Sequence, residues 1–169
     1  MNMDKQATYW IKQLEMIEHP EGGYFKETYR SEEEWPASSL PERYGGARTF
    51  GTSIYFLLTR ESVSNFHRLT SDEIWHFHTG GAGKIHFLSE DGAYFAREIG
   101  PELEQGEHFQ VLIPKGHWFA AEVSRGDYLL VGCTVSPGFE FQDFELANRE
   151  TLLSAMPQHT DLIQRFTKP

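Results

Sequence analysis

Apolar positions near the start of the chain recur every three or four residues: Ala7, Trp10, Ile11, Leu14 and Ile17 fall on one face, with Asp4 placed as an N-cap. This spacing predicts a short amphipathic helix from Asp4 to about Ile17. The period then changes. "GGYFKETYR", "RTFGTSIYFLLT", "VSNFHRL", "EIWHFHTG", "GKIHFLSE", "AYFAREIG", "HFQVLIP", "HWFAAEV" and "DYLLVGCTV" are short runs rich in aromatic and β-branched residues, which suit a pleated, half-buried surface. Between them stand "TGGAG", the Asp-Gly pair of "SEDGAY", "GPELEQGE", "PKG" and "SRGD"; Asp-Gly and Gly-rich links between apolar runs favour hairpins. Roughly nine closely spaced strands predict an antiparallel barrel or sandwich, a mainly all-β fold. After "VSPGF" the tail "FELANRETLLSAMPQHTDLIQRF" returns to helical spacing, broken at Pro157, so two short helices follow the strands. No repeat or linker divides residues 1–169, and the length suits one domain.

Composition narrows the partners. With 25 acidic against 15 basic residues the net charge is −10, which repels phosphate backbones and anionic membranes. Neither nucleic acid nor membrane is expected as a partner. The one cysteine, Cys133, permits no intrachain disulfide, and its apolar run "YLLVGCTV" makes it a buried small hydrophobe. The N-terminus lacks a cationic start followed by an apolar stretch, and no segment reaches membrane-spanning length. A cytoplasmic protein is the expectation. "TGGAGK" is no phosphate-cradling loop, because His78 stands where that motif has its first glycine and Ile85 follows Lys84.

The chemistry concentrates in "SNFHRLTSDEIWHFHTGG", which holds His67, Glu73, His76 and His78. Side chains alternate along a strand, so Glu73, Trp75 and Phe77 share one face and His76 and His78 share the other. If Glu73 faces a cavity, the two later histidines face away and serve as hydrogen-bonded structural groups. About thirty residues on comes "VLIPKGHWF".

Together these two stretches resemble the two motifs of the cupin superfamily. His67, Glu73 and Gly80 match the first motif, and Leu69 stands in place of its second histidine. Pro114 and Gly116 match the second, where Phe119 replaces the histidine. "HPEGGYFKETYRS", "IYFLL", "FHRLTSDEIWHFHTG" and "VSPGFEFQDFEL" more specifically resemble Cupin 5, a subfamily of small single-domain cupins, from about Glu18 to Leu153. The resemblance implies a jelly-roll β-barrel with a ligand-sized cavity, usually paired as a homodimer, and leaves the activity open.

A metal-binding cupin offers three histidines and a glutamate. Carried over position by position, only His67 and Glu73 remain, and Leu69 and Phe119 cannot coordinate. His117 lies ~6.6 Å further along the strand than Phe119 and does not fill the vacancy. No cofactor is therefore expected; a divalent metal, if held, rests on His67 and Glu73. Without metal, His67 is the expected general base and Glu73 its carboxylate partner. That arrangement is similar to metal-independent cupin epimerases, in which a histidine takes the proton α to a carbonyl and a tyrosine returns it. Tyr24, Tyr55 and Tyr128 are candidates for the tyrosine, and Tyr55 is the one assigned here.

Strand alternation over "YFKETYR" puts Tyr24, Lys26, Thr28 and Arg30 on one face and Phe25, Glu27 and Tyr29 on the other. Glu21 and Tyr24 are expected at the barrel mouth, with Lys26 or Arg30 available to an anionic ligand. Leu69, Trp75, Phe77 and Phe119 are expected in an apolar wall, where desolvation raises the pKa of Glu73 and lowers that of His67. The function expected is small-molecule binding with metal-independent isomerase or epimerase chemistry on a sugar-like carbonyl compound. The alternatives are a metal-dependent enzyme with an incomplete ligand set and a non-catalytic binding or sensor protein.

Overall fold

The computed structural model describes residues 4–169, with side chains from Ala7 onward. In chain order its elements are α1 (Asp4–Gln13), β1 (Ile17–Glu18), β2 (Tyr24–Arg30), β3 (Glu34–Trp35), β4 (Arg48–Thr49), β5 (Thr52–Thr59), β6 (Val63–Leu69), β7 (Glu73–Leu88) and β8 (Tyr94–Ile99). Then follow β9 (Glu107–His108), β10 (Gln110–Ile113), β11 (Trp118–Val135), β12 (Phe144–Leu146), α2 (Arg149–Ala155) and α3 (Thr160–Arg165). The fold is mainly β, with short helices at both ends. The main sheet runs β1-β2-β5-β11-β7-β8-β9; β10 also pairs with β7, and β6 bridges β11 and β12.

Three apolar clusters follow from the alternation. Inward residues of β5, β7, β10 and β11, among them Phe56, Trp75, Val111, Phe119 and Val131, form the central core. On the outer face of β5 and β11, Leu57, Tyr128 and Leu130 meet Ala7, Trp10, Ile11 and Leu14 of the N-terminal segment. Leu152, Met156, Ile163 and Phe166 of the C-terminal segment cover Phe66, Leu88 and Ala120. Pro157 separates α2 from α3 as the pattern requires. α1 is shorter than its periodicity predicts: it stops at Gln13, and Ile17 is 63% exposed in β1. The Asp4 side chain, the predicted cap, lies outside the described residues.

Two predicted turns are absent. "TGGAG" and "SRGD" lie inside the long strands β7 and β11, which pair along most of their length. A Cβ on Gly81 would sit 1.7 Å from the Arg125 carbonyl oxygen, so the two backbones cross in contact there. The register shifts on either side of Arg125. Glycine here lets paired strands bend through a bulge, as it does at barrel corners, instead of ending them. The Asp-Gly pair does make its turn: Ser89 donates to the Ala93 carbonyl at 3.0 Å and Gly92 takes φ +79°.

Candidate active site in the barrel

The site is built on the corner "HPEGG" between β1 and β2. His19 N–H bonds the Gly23 carbonyl at 3.0 Å and Gly22 N–H bonds the His19 carbonyl at 2.9 Å, closing a tight turn. Gly22 has φ +111°, and a Cβ there would lie 2.1 Å from the Val63 carbonyl oxygen, so glycine alone lets the corner rest against β6. Asn65 then clamps it, donating to the Glu21 carbonyl from its backbone at 2.8 Å and its side chain at 2.6 Å.

This clamp places the Glu21 carboxylate inside the barrel, 5% exposed. Its Oε1 accepts from Ser64 Oγ at 2.8 Å, and its Oε2 lies 3.0 Å from His67 Nε2 and 3.2 Å from His19 Nδ1. The carboxylate partner of His67 is thus Glu21, where the sequence had suggested Glu73. The other nitrogen of His67 lies 2.7 Å from the Asn65 carbonyl, so Nδ1 carries a proton. With both nitrogens facing acceptors, His67 turns no lone pair to a ligand, and its geometry is that of a group positioning Glu21 and not of the expected base. Its ring rests on Phe119, 3.9 Å between centroids, so the residue in place of a metal-ligating histidine packs the imidazole from behind.

Burial alone would raise the affinity of Glu21 for a proton, but its contact with His67 and the bonds from His19 and Ser64 hold its carboxyl below the usual range, while burial lowers the pKa of the His67 imidazole itself. Glu73 goes the other way: burial, then the nearby Glu21 charge, push it up to about 8, so it is a neutral acid at pH 7. The same burial, reinforced by Glu73, keeps the Cys133 thiol un-ionised. The Trp75 indole N–H lies near enough to Glu73 to favour its charged form, yet makes no hydrogen bond among the described residues.

Glu21, His67, Glu73, Trp75 and Cys133 line a cavity of about 80 Å³. Its walls are mostly apolar, with Phe25, Phe56, Leu69, Trp75, Phe139 and Phe144 prominent. Arg30 reaches the mouth, but it bonds Glu27 at 2.8 and 3.1 Å and Glu140 at 2.7 Å, leaving its charge neutralised. A bulge between Glu27 and Tyr29 reverses the alternation of β2, and Arg30 joins Phe25 and Glu27 on the inner face.

The structure brings Glu21, Arg30, His67, Leu69, Glu73 and Trp75 to one cavity. It corrects five other assignments. Tyr24 and Tyr55 point to the opposite face of the sheet, where they pack with the α1 cluster, so Tyr55 cannot return a proton in the cavity. Lys26 also faces outward and pairs with Glu15 at 3.3 Å. Phe77 packs against the central core without reaching the cavity wall, and Phe119 lies wholly buried behind His67. His76 bonds Thr134 Oγ1 and Gln110 on the outer face. His19 is the residue that strand reasoning passed over; its one signal is the glycine corner that follows it.

The family model described as Cupin_5, Cupin superfamily (DUF985), matches residues 8–147. This chain belongs to that family. The cupin fold is a jelly-roll barrel, and the sheet described above has that form. A structure of protein SO0799 from Shewanella oneidensis is similar at TM-score 0.87 and 42% identity, covering 96% of this chain and 98% of that one. A hypothetical protein from Leishmania major aligns at TM-score 0.88 and 35% identity over 96% and 99% of the two chains. The uncharacterized protein YML079W of Saccharomyces cerevisiae is 33% identical over 151 residues, 79% of this cupin and 71% of that protein.

A three-histidine, one-glutamate metal centre does not fit this cupin. Leu69 and Phe119 occupy two of the positions, and both nitrogens of His67 are engaged by protein acceptors. Among the described residues no group of three or more His, Cys, Asp or Glu is arranged to hold a metal ion.

Proposed function

We propose that this cupin binds a compact, largely apolar carbonyl compound in the barrel and moves a proton at the carbon beside the carbonyl, as an isomerase or epimerase. One observation carries the reading: a carboxylate held ionised by two imidazoles shares a dry-walled cavity with a carboxylic acid held neutral. Two titratable groups whose environments push their pKa values apart are the arrangement that runs acid and base chemistry together at neutral pH. The Glu21 cluster takes the proton, and Glu73 donates a hydrogen bond to the oxygen on which negative charge develops. The apolar walls and the neutralised Arg30 favour an uncharged ketone or aldehyde over a phosphorylated or polyhydroxylated sugar.

The test is deuterium exchange at the α-carbon of small ketones, from acetone to acetophenone, followed by NMR in D₂O. Glu21→Gln is expected to lower the exchange rate by about 10²-fold or more, the range of a general base. Wild-type protein that exchanges none of these ketones above the buffer rate removes the chemistry and leaves binding alone.

We further infer a homodimer, as the family resemblance leads one to expect. Leu112, Ile74, Thr134, Ser53 and Tyr29 lie side by side in register on the outer sheet face. Leu112, Ile74 and Tyr29 are 55, 39 and 56% exposed, an apolar band suited to its own copy. Light scattering of Ile74→Lys should show a monomer; an unchanged mass places the contact elsewhere.

A further inference from the structure

We propose that His19 is the residue that meets the substrate, exchanging the proton through its Nε2 while Nδ1 alternates between two fixed partners in the Glu21 corner. This rests on the acid–base reading above and names the group that performs it. His19 lines the cavity, its side chain 7% exposed, with Phe25 and Phe144 edge-on to its ring at 4.8 and 5.7 Å. Its Nε2 has no hydrogen-bond partner among the described residues and is not sealed from solvent, so the free nitrogen of the cluster belongs to a ring that lines the cavity. His67 offers no such nitrogen.

The two neighbours of Nδ1 make opposite demands. Glu21 Oε2, at 3.2 Å, requires a donor; the Glu21 backbone N–H, at 3.3 Å, requires an acceptor. When Nδ1 carries the proton it donates to Oε2, and Nε2 holds a lone pair and is a base. When Nδ1 is bare it accepts from the backbone N–H, and Nε2 carries the proton and is an acid. Each tautomer keeps one of the two bonds without ring movement, and the ionised Oε2 beside Nδ1 favours the first at rest, a property suited to a group that removes a proton and later returns it.

The step balances within the site. The α C–H bond breaks and an N–H bond forms at Nε2. The C–H electron pair moves into the new carbon–carbon double bond while the carbonyl pair goes to oxygen, which accepts from the neutral Glu73 O–H. The charge gained by the ring is met by Glu21, which takes the Nδ1 proton into the bond they share. Return of the proton from Nε2, to the same carbon or to the carbon that bore the oxygen, restores the starting inventory.

Two measurements test this on the intact protein. Phenacyl bromide carries an electrophilic carbon beside a ketone, and the free nitrogen displaces bromide to form an N–C bond. Peptide mapping should find alkylation at His19 about tenfold faster than at the exposed His108, the mark of a bound and oriented reagent, with loss of that adduct in His19→Gln. A label on His67, Glu21 or Glu73 in preference to His19, or no preference over His108, overturns the assignment. Second, ¹⁵N-edited NMR of the histidine rings should show His19 averaging between tautomers and His67 protonated at Nδ1; His19 fixed in one tautomer overturns the switch. Neither readout needs turnover. Labelled, tautomer-averaging His19 without ketone exchange sinks the proposed reaction alone, and exchange that survives in His19→Gln sinks this proposal alone.

Discussion

The Arg48–Asp143 pair and the Glu21 cluster are both buried, and they differ in how completely they are satisfied. Arg48 and Asp143 form a bidentate pair at 2.6 and 2.7 Å, and Arg48 also donates to the Ala47 carbonyl at 2.7 Å. Arg48 lies near the Tyr44 ring as well. This pair ties β4 to the turn before β12 and presents nothing to a ligand. The Glu21 cluster is as deeply buried, yet it keeps an open nitrogen on His19, an unbonded indole N–H on Trp75 and an acid on Glu73 that burial keeps neutral. Burial of charge does not itself mark a site; valence left over inside a cavity does.

Breaking the closed cluster should produce the largest effect. Asp143→Ala strands a buried guanidinium, and removal of one partner from such a pair costs about 3–5 kcal/mol. A melting point lower by about 10 °C is expected for a chain of this size, read by calorimetry. A loss below about 1 kcal/mol would show that solvent reaches Arg48 and that the contrast is overstated.

Glu73→Gln gives an intermediate effect whose sign depends on pH. The folded pKa of Glu73 is raised from 4.5 to about 8, so the native state keeps a proton that the unfolded chain releases between those values. The stability this confers is fully present below about pH 4.5 and declines as pH rises toward 8, by at most about 1.4 kcal/mol per unit. An amide in that place does not titrate and has no such slope. The stability difference should therefore move in favour of the variant as pH is raised; parallel curves for the two proteins would mean that Glu73 is ionised in the fold. The smallest effect belongs to Tyr55→Phe, expected to change stability by less than about 0.5 kcal/mol and to leave ketone exchange untouched. Loss of exchange in that variant would return Tyr55 to the site.

Much of the β framework is legible because apolar runs and Asp-Gly turns carry local information. Alternation also separates Glu73 from His76, and the motif resemblance turns His67 and Glu73 inward. It fails where the local rule is overridden. Glycines inside β7 and β11 read as turns, although their purpose is close backbone approach. The bulge in β2 moves Arg30 to the other face, a change that no residue type announces. Tyr55 sits in "SIYFLL", apolar on both faces because α1 covers the outer one, so its direction has no signature. The Glu21–His67 contact joins residues 46 positions apart, and nothing local to either specifies the other. Glu73, the nearer carboxylate in sequence, was the natural but mistaken partner.

The glycine corner has a kinetic consequence. Glu21 enters the barrel on a short loop held to β6 by the two Asn65 bonds and the Ser64 hydroxyl, while Glu73 and His67 belong to paired strands. A local opening of that corner withdraws His19 and Glu21 together and leaves the barrel paired. It also removes the charge that helps keep Glu73 protonated. The backbone amide of Asn65, bonded to the Glu21 carbonyl, should thus exchange with solvent sooner than the amides of β7. Its exchange rate sets an upper limit on how often the site dismantles and rebuilds itself in a folded molecule.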